Sequence, residues 1–184
     1  LFVNVTGIDY QAAKVLDTLQ KSMETIQTVL YHYEGSLNQF IVDDKGTLLI
    51  LALGLPPLTH EDDAVRGVSL ALDIQAAISH LELQCAIGIT TGRIFCGRRG
   101  STQRSDYAMI GDVMNLAARL MMKALPHDIF CDEATYHAAH AQVTFEALPP
   151  IKVKGKSAPV ALYRPHRHPP PDVCDLTPLV GRIH

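Results

Sequence analysis

The sequence has little of what several classes of protein depend on. Its 184 residues include no tryptophan, and aromatic residues make up only 6% of the chain, which disfavours an aromatic platform for nucleic-acid bases. The formal net charge of −3 at pH 7 gives no general attraction to nucleic acid or to an anionic membrane. The longest apolar run, Thr47 to Leu58, is too short to cross a bilayer. The remaining composition, 47% hydrophobic and 19% charged, is ordinary for a globular domain.

The cysteines show neither close pairing nor metal-ligand spacing. They are Cys85, Cys96, Cys131 and Cys174. The first three lie in apolar runs that are typical of strands. We therefore expect buried, reduced thiols in a cytosolic protein rather than a disulfide framework or a zinc site.

Hydrophobic periodicity predicts a β-α-β-β-α-β order for the first half of the chain. The predicted elements are a strand over 1–5, a helix over 12–33, strands over 36–42 and 47–53, a helix over 60–80 and a strand over 83–91. This order indicates an α+β fold with a ferredoxin-like core, in which the helices pack on one face of a mostly antiparallel sheet.

Shorter elements are predicted for the second half. They are a strand over 93–96, a basic loop over 98–104, a strand over 107–110, a helix from about 112, a strand over 129–131, a helix over 133–140 and strands over 143–148 and 159–163.

Prolines and histidines dominate from Pro165 onward, which is typical of a linker. We expect one domain over 1–164 and a linker over 165–184. Four cations around this boundary are interpreted as solvated linker: Arg164, His166, Arg167 and His168. Because the first residue already belongs to a predicted strand, we expect the chain to be a domain excised from a longer protein.

A polar pair stands out on the helix that begins near Asp112. Asn115 and Arg119 are four residues apart and therefore share one face of that helix. An asparagine can hold a sugar or ether oxygen, and an arginine can neutralise charge that develops on a phosphoryl oxygen. The same spacing is common on solvated helix faces. The pair therefore leaves two interpretations open, phosphoryl chemistry and a plain polar surface.

The run from Tyr107 to Leu120, YAMIGDVMNLAARL, resembles the signature of the class III nucleotidyl cyclases, which make cyclic AMP or cyclic GMP. The upstream FCGRRGSTQRS and the later Lys154-Gly155 stand in the same order as in that family. The likeness covers most of the chain and is greatest to the second catalytic half of the soluble, bicarbonate-responsive adenylyl cyclases. It implies the class III nucleotidyl cyclase fold and an active site built across a dimer of two such domains.

The resemblance implies a reaction and assigns roles in it. The ribose 3′-hydroxyl attacks the α-phosphate of ATP, and pyrophosphate leaves. Asn115 would orient the ribose and Arg119 would stabilise the transition-state phosphate. Lys154 would contact the terminal phosphates, with the neighbouring Lys156 as a competitor for that role. A solvated strand edge is the alternative interpretation of either lysine.

Base recognition would fall to Gln39 and Ala108, the positions where relatives that use ATP usually carry a lysine and an Asp or Thr. Gln39 can donate and accept hydrogen bonds and so fits either purine, whereas the side chain of Ala108 can do neither. ATP is expected because of the whole-chain likeness, not because of these residues. Plain strand packing is the alternative for both.

The resemblance also implies Mg²⁺ or Mn²⁺, held in the family by two aspartates. Asn4 occupies the first of these positions, and an amide binds Mg²⁺ far less well than a carboxylate. Asp43 matches the second, but Asp43 and Asp44 stand beside the turn residue Gly46, where aspartate is routine. Asp9 is expected to cap the first helix. We therefore expect no metal ligand in this chain.

The metals would then be held mainly by a first-half cyclase domain, on the same polypeptide, and this domain alone would be inactive or nearly so. Three hypotheses remain. The chain is half of a heterodimeric adenylyl cyclase, or a catalytically silent cyclase-like module that binds a nucleotide or effector, or a ferredoxin-like interaction domain without a site. Intact Asn115, Arg119 and Lys154 favour the first hypothesis. Asn4 and Ala108 favour the second.

Two further features are open to interpretation. Arg98, Arg99 and Arg104 can contact a phosphate or a partner domain, although an ordinary basic surface loop is the simpler interpretation. Residues 178–182, PLVGR, resemble the opening of the ATPase domain that often follows these cyclase domains. We therefore expect the linker to lead to such a domain.

Overall fold

The computed structural model of the chain describes residues 1–43, 46–101, 103, 105–156 and 158–167. Within these residues the elements are β1 (Phe2–Thr6), α1 (Val15–His32), β2 (Ser36–Asp43), β3 (Gly46–Ala52), α2 (Asp63–Ser79), β4 (Gln84–Ile89), β5 (Phe95–Gly100), β6 (Ser105–Ile110), α3 (Asp112–Lys123), β7 (Ile129–Cys131), α4 (Glu133–Ala139), β8 (Thr144–Ile151) and β9 (Val160–His166).

The main sheet has seven strands in the order β2-β3-β1-β4-β7-β9-β8. Its pairs are antiparallel except for β4 and β7, which run parallel. The part β2-β3-β1-β4 arises from the first β-α-β-β-α-β unit and has the ferredoxin-like strand order. The α+β prediction is therefore confirmed.

The helices cover both faces of the sheet. Val3 and Val5 of β1 are buried in a core that includes Ile26 of α1 and Ile74 of α2. Phe2 points to the other face, where it packs with Ala117 of α3. The prediction that the helices share one face is therefore right for α1 and α2 and wrong for α3. Successive apolar residues in a central strand allow both faces to be buried.

The position of α3 depends on a glycine in the strand beneath it. A Cβ atom at Gly88 of β4 would collide with the backbone carbonyl oxygen of Ala117, so the helix lies directly on the backbone of the strand. Any side chain at this position would separate the two elements. Gly88 therefore sets the height above the sheet of the helix that carries Asn115 and Arg119.

The basic segment after β4 is not the predicted loop. Arg98 and Arg99 lie in β5, which pairs with β6 from Phe95↔Ile110 to Gly100↔Ser105 and forms a separate two-stranded ribbon. In such a ribbon the backbone hydrogen bonds are satisfied between the strands while the charged side chains remain in water. Arg104 lies outside the described residues.

The end of the domain also differs from the expectation. β9 extends through His166, and Pro165 is buried. Arg164 pairs with Asp128 and Glu146, and Arg167 pairs with Asp73 of α2, so the interpretation of these arginines as solvated linker is wrong. The predicted linker from 168 onward, with His168, lies outside the described residues, as does the segment 178–182.

Cys85 and Cys131 are buried free thiols, as predicted, and Cys96 is half-buried. Burial raises the pKa of the Cys85 thiol to about 12. Cys174 lies outside the described residues. No helix in the described part of the chain has both the length and the apolar character needed to span a bilayer.

Candidate active site

The polar pair on α3 lies on the accessible side of the helix. Leu116, Ala117 and Leu120 form the buried side, whereas Asn115 is exposed and Arg119 is half-buried. The amide and the guanidinium therefore share an outward face, as four-residue spacing requires. Their surroundings differ, because one borders a cavity and the other borders a turn.

Asn115 lines a cavity of about 250 Å³ that the sheet, the ribbon and α3 enclose together. Gln39 of β2 and the buried Ala108 of β6 line the same cavity. The structure thus brings together three of the predicted site residues that are far apart in sequence. Asn38 and Arg99 also contribute to its lining.

A hydrogen bond fixes the ribbon to the sheet beside this cavity. Nδ2 of Asn38 donates to the carbonyl oxygen of Tyr107, at 3.2 Å. The pairing of β2 with β3 shifts between Leu37 and Gln39, which makes Asn38 a bulge residue. A bulge re-aims its side chain away from the regular alternation of a strand. This bulge therefore places the amide where it can hold β6, and with it Ala108, close to Gln39.

The guanidinium of Arg119 lies against the turn between β8 and β9. A Cβ atom at Gly155 would be 3.4 Å from Nη1 and 3.6 Å from Nη2 of Arg119. Gly155 also has a φ of +81°, which L side chains rarely adopt. Lys154, which is exposed, precedes Gly155 on this turn. The turn thus brings Lys154 into the neighbourhood of the α3 face.

The two candidate lysines have different environments. Nζ of Lys156 donates to Oδ2 of Asp112, at 2.7 Å, and this bond lowers the pKa of the Asp112 carboxyl. Within the ranges that the structure describes, Lys154 has no comparable ion pair. Lys156 is therefore engaged by the first residue of α3, and Lys154 remains the better candidate for a phosphate contact.

The residues at the family's two metal-binding positions are poor ligands for Mg²⁺ in this chain. Asn4 is on the face of β1 that Phe2 also occupies, and its Oδ1 would be 2.7 Å from a Cβ atom at Gly46. Asp43 pairs with Gly46 across the hairpin. Among the described residues no group of three or more His, Cys, Asp or Glu side chains could hold a metal ion. One amide and one turn carboxylate do not fit a two-metal site. Asp44 lies outside the described residues.

The predicted cap at Asp9 is wrong. Oδ1 of Asp9 accepts a hydrogen bond from the backbone N–H of Gln11, at 2.9 Å, in the turn that precedes the helix. The residue at the N-cap of α1 is Lys14, and its side chain makes no capping bond. The helix begins later than predicted, because the segment before it forms turns of its own.

Sequence reasoning missed Asn38 and Arg99 as cavity residues. The bulge at Asn38 leaves no periodic signal in the sequence. The sequence predicts a loop at Arg99. The face of the ribbon on which Arg99 lies follows only from the pairing of its backbone with Asp106. The alternation of Arg98 and Arg99 would have been informative if the ribbon had been predicted.

Comparisons with known proteins fit this geometry. Residues 3–164 match the family described as adenylate and guanylate cyclase catalytic domain. Adenylate cyclase type 10 is 31% identical in Rattus norvegicus and 32% identical in Homo sapiens, each over 168 residues and 89% of this chain. The chain spans about a tenth of the length of these curated relatives.

Solved structures agree on the fold. The adenylyl cyclase CyaB from P. aeruginosa has a TM-score of 0.82 and 24% identity, and the match covers 91% of this chain and 92% of that chain. The guanylate cyclase domain of RhGC from Catenaria anguillulae, solved with GTP, has a TM-score of 0.79 and 21% identity, with 90% and 93% covered. The hypothesis of an interaction domain whose match to the cyclases is a coincidence is therefore wrong. The chain is a member of the adenylate and guanylate cyclase catalytic domain family and has the class III cyclase fold.

Proposed function

We propose that this domain is the second half of a heterodimeric adenylyl cyclase that converts ATP to cyclic AMP and pyrophosphate. The observation that carries the proposal is the arrangement of α3. Its outward face presents Asn115 to a cavity and Arg119 to the turn that bears Lys154. The described residues offer these phosphate- and ribose-binding groups without a matching set of metal ligands.

In the proposed reaction, the residues of this chain orient the ribose and neutralise charge on the phosphates. The 3′-hydroxyl oxygen forms a bond to the α-phosphorus and releases its proton to solvent, the bond from that phosphorus to the bridging oxygen breaks, and pyrophosphate leaves with the electron pair. The amide of Asn115 holds the ribose so that this hydroxyl approaches in line. The guanidinium of Arg119 donates hydrogen bonds to the phosphoryl oxygens as their charge increases. Lys154 neutralises the terminal phosphates.

The partner is a cyclase domain that carries both metal aspartates, on the same polypeptide or on another. It would hold Mg²⁺ or Mn²⁺ and thereby supply the positive charge that the triphosphate requires. Asn4 is the reason for assigning the metals to the partner, because the charge that a carboxylate would bring is absent from β1.

The choice of ATP is supported by the identity to adenylate cyclase type 10 along 89% of the chain. Gln39 is compatible with ATP because its amide can accept from the 6-amino group and donate to a ring nitrogen. Ala108 contributes shape alone.

A reconstitution tests the proposal. The domain is combined with a class III domain that carries both metal aspartates, and cyclic AMP formed from ATP is measured. We expect little product from either domain alone and robust production from the mixture. Arg119→Ala should lower the rate of the mixture by about 100-fold or more, as loss of a transition-state donor does. Arg98→Ala is the matched control, because Arg98 donates to Ser105 at the ribbon surface.

A catalytically silent module is the second candidate, and Asn4 and Ala108 are the observations that favour it. Such a module would bind a nucleotide or effector and change the activity of its partner without contributing to chemistry. The same experiment separates the two candidates. If the module is silent, Arg119→Ala leaves the rate of the mixture at the wild-type value, and the proposed enzymatic role is wrong.

A further inference from the structure

The proposed reaction leaves the charged end of the ribbon unexplained. Arg98 and Arg99 are the last two side chains of β5, and Gly100 and Ser101 follow them. Arginines three and two residues before a hydroxyl are the pattern that arginine-directed protein kinases select, because an acidic cleft beside their catalytic site binds both guanidinium groups. The end of the ribbon therefore presents a candidate phosphorylation site.

The side chains that such a kinase has to contact are exposed. Arg98, Arg99 and Ser101 are all accessible to solvent, although Arg99 and Ser101 have contacts of their own. Nη2 of Arg98 donates to Oγ of Ser105 at 2.9 Å, and Oγ of Ser101 accepts a hydrogen bond from the backbone N–H of Gln103 at 3.3 Å. Exposed contacts of this kind are weak and can be exchanged for those of a partner. A kinase can therefore reach the serine without opening the core.

The backbone before the serine also has a shape that a kinase cleft accepts. Both arginines lie in β5, which is extended and pairs with β6 alone among the described residues. The second edge of β5 is therefore unpaired in that part of the chain. Clefts that recognise peptides bind extended segments and can hydrogen-bond to a free strand edge. The fold thus presents the two arginines in a form that is suitable for docking.

Another serine shows why the fold matters as well as the sequence. Arg66 lies three residues before Ser69, but both belong to α2, and Ser69 is half-buried. Nη2 of Arg66 donates to the carbonyl oxygen of Tyr33 at 2.7 Å and to Oε2 of Glu34 at 2.9 Å. A helical segment cannot enter an extended cleft without unfolding. Ser69 is therefore an internal control within the same chain.

We propose that Ser101 is a phosphorylation site for an arginine-directed protein kinase, with ATP as the phosphoryl donor. The hydroxyl oxygen of Ser101 forms a bond to the γ-phosphorus, the bond from that phosphorus to the bridging oxygen breaks, and ADP leaves with the electron pair. The hydroxyl proton passes to the catalytic aspartate of the kinase. The modification concerns the folded domain and does not require the proposed cyclase reaction.

The phosphate would change the charge beside the candidate active site. A phosphoserine carries a charge of about −1.5 to −2 at pH 7, which offsets most of the charge of the two arginines. Arg99 lines the cavity that Asn115 borders, and Ser101 is two residues further along the chain, a separation of about 7 Å in an extended strand. Phosphorylation of Ser101 would therefore lower the positive potential at one end of that cavity.

The test uses the 184-residue chain. The probe is the purified catalytic subunit of cyclic AMP-dependent protein kinase, an arginine-directed enzyme, with ATP. The initial rate of phosphate incorporation is measured, and tandem mass spectrometry identifies the modified residue. The variants are Ser101→Ala, Arg98→Ala and Arg99→Ala, with Ser69→Ala and Ser105→Ala as matched controls. The thermal midpoint of each variant confirms that the fold is kept.

Ser101 should be the principal modified residue, and Ser101→Ala should lower the initial rate at least about tenfold. Arg98→Ala and Arg99→Ala should each lower it about tenfold, the equivalent of one charge-assisted contact. Both control variants should be phosphorylated at the wild-type rate. A synthetic peptide of residues 95–105 should be modified at a rate similar to that of the folded chain, because the ribbon already presents this segment to solvent.

Three results would overturn the proposal. The first is phosphate on Thr102 or another residue with none on Ser101. The second is a rate that does not depend on Arg98 or Arg99. The third is rapid modification of the peptide and none of the folded chain, which would mean that the ribbon withholds the hydroxyl. None of these measurements involves cyclic AMP production, so a failure of the proposed function would leave them unchanged.

Discussion

The ammonium group of Lys156 lies 2.7 Å from Oδ2 of Asp112 and joins the turn between β8 and β9 to the first residue of α3. Both side chains are substantially exposed, at 36% and 75%, so the pair contributes little to stability. Its consequence is geometric. The turn that it holds also carries Lys154 and Gly155, and a Cβ atom at Gly155 would lie 3.4 Å from Nη1 of Arg119. The pair therefore positions residues that the proposed chemistry uses.

The two lysines should respond differently to removal. Lys154→Met should raise KM for ATP about tenfold or more in the reconstituted cyclase, because it removes the charge-assisted hydrogen bond to phosphate that we propose for this lysine. Lys156→Met should have a smaller effect, since it frees the turn without removing a substrate contact. Lys152→Met, on the same hairpin and exposed, is the control and should behave as wild type. A larger effect from Lys156→Met than from Lys154→Met would reverse this assignment.

The close packing of α3 on β4 should make Gly88 intolerant of a side chain. Gly88→Ala forces the helix away from the strand, because the new Cβ meets backbone rather than a movable side chain. We expect a loss of about 3 kcal/mol in the free energy of unfolding, the upper part of the range for overpacked cores. Urea denaturation measures this loss.

Gly67 provides the matched control for that substitution. It lies in α2, and a Cβ there would be 3.7 Å from its nearest neighbour, Leu1 Cδ1, an ordinary contact. Gly67→Ala should therefore stabilise the domain by about 0.5–1 kcal/mol through helix propensity. If the two alanine variants lose stability equally, the contact between α3 and β4 does not have the role described for it.

The surroundings of the Tyr33 hydroxyl should raise its pKa. The Tyr33 hydroxyl donates to Oδ2 of Asp73 at 2.6 Å, and desolvation together with this bond raises its pKa to about 12. Because the folded pKa exceeds the unfolded value near 10, the stabilisation is complete below pH 10 and is lost as the pH rises to about 12.

Ultraviolet absorbance of the phenolate, together with unfolding curves between pH 9 and about 12, measures both effects. Tyr33→Phe should remove one phenolate ionisation near pH 12 and the loss of stability above pH 10 that goes with it. If the difference between the wild-type and Tyr33→Phe titrations shows Tyr33 ionising near pH 10, the contact with Asp73 is contradicted.

The first half of the fold could be predicted because its signals are local. Apolar residues in α1 recur with helical spacing, and Gly46 stands at the turn of a hairpin between apolar strands. The position of α3 could not be predicted in the same way. It depends on the absence of a side chain at Gly88, which acts on a helix about thirty residues away and has no periodic signature.

The site residues that lie on a helix could be predicted from their spacing. Those whose position depends on the register between two strands could not. Four-residue spacing put Asn115 and Arg119 on one face. Arg99 was assigned to a loop, because three charged or small residues in a row resemble a turn more than a strand. The bond between Lys156 and Asp112 joins residues 44 apart in the chain. The fold was therefore needed to show that Lys156 is engaged and that Lys154 is the better candidate for a phosphate contact.

We expect the amide of Asn4 to weaken the binding of divalent metal at the position where the family carries a carboxylate. Asn4→Asp would place a carboxylate on β1 beside the hairpin turn that contains Asp43, and carboxylate oxygens are the ligands that Mg²⁺ and Mn²⁺ prefer. We expect this variant to bind Mn²⁺ at least about tenfold more tightly than wild type, as measured by the electron paramagnetic resonance of free Mn²⁺. Adding Asp43→Asn to the variant should cancel the gain. Tight Mn²⁺ binding by the wild-type chain, or a gain that survives the second substitution, would mean that metal is held by residues other than these and that the division of labour between two domains is wrong.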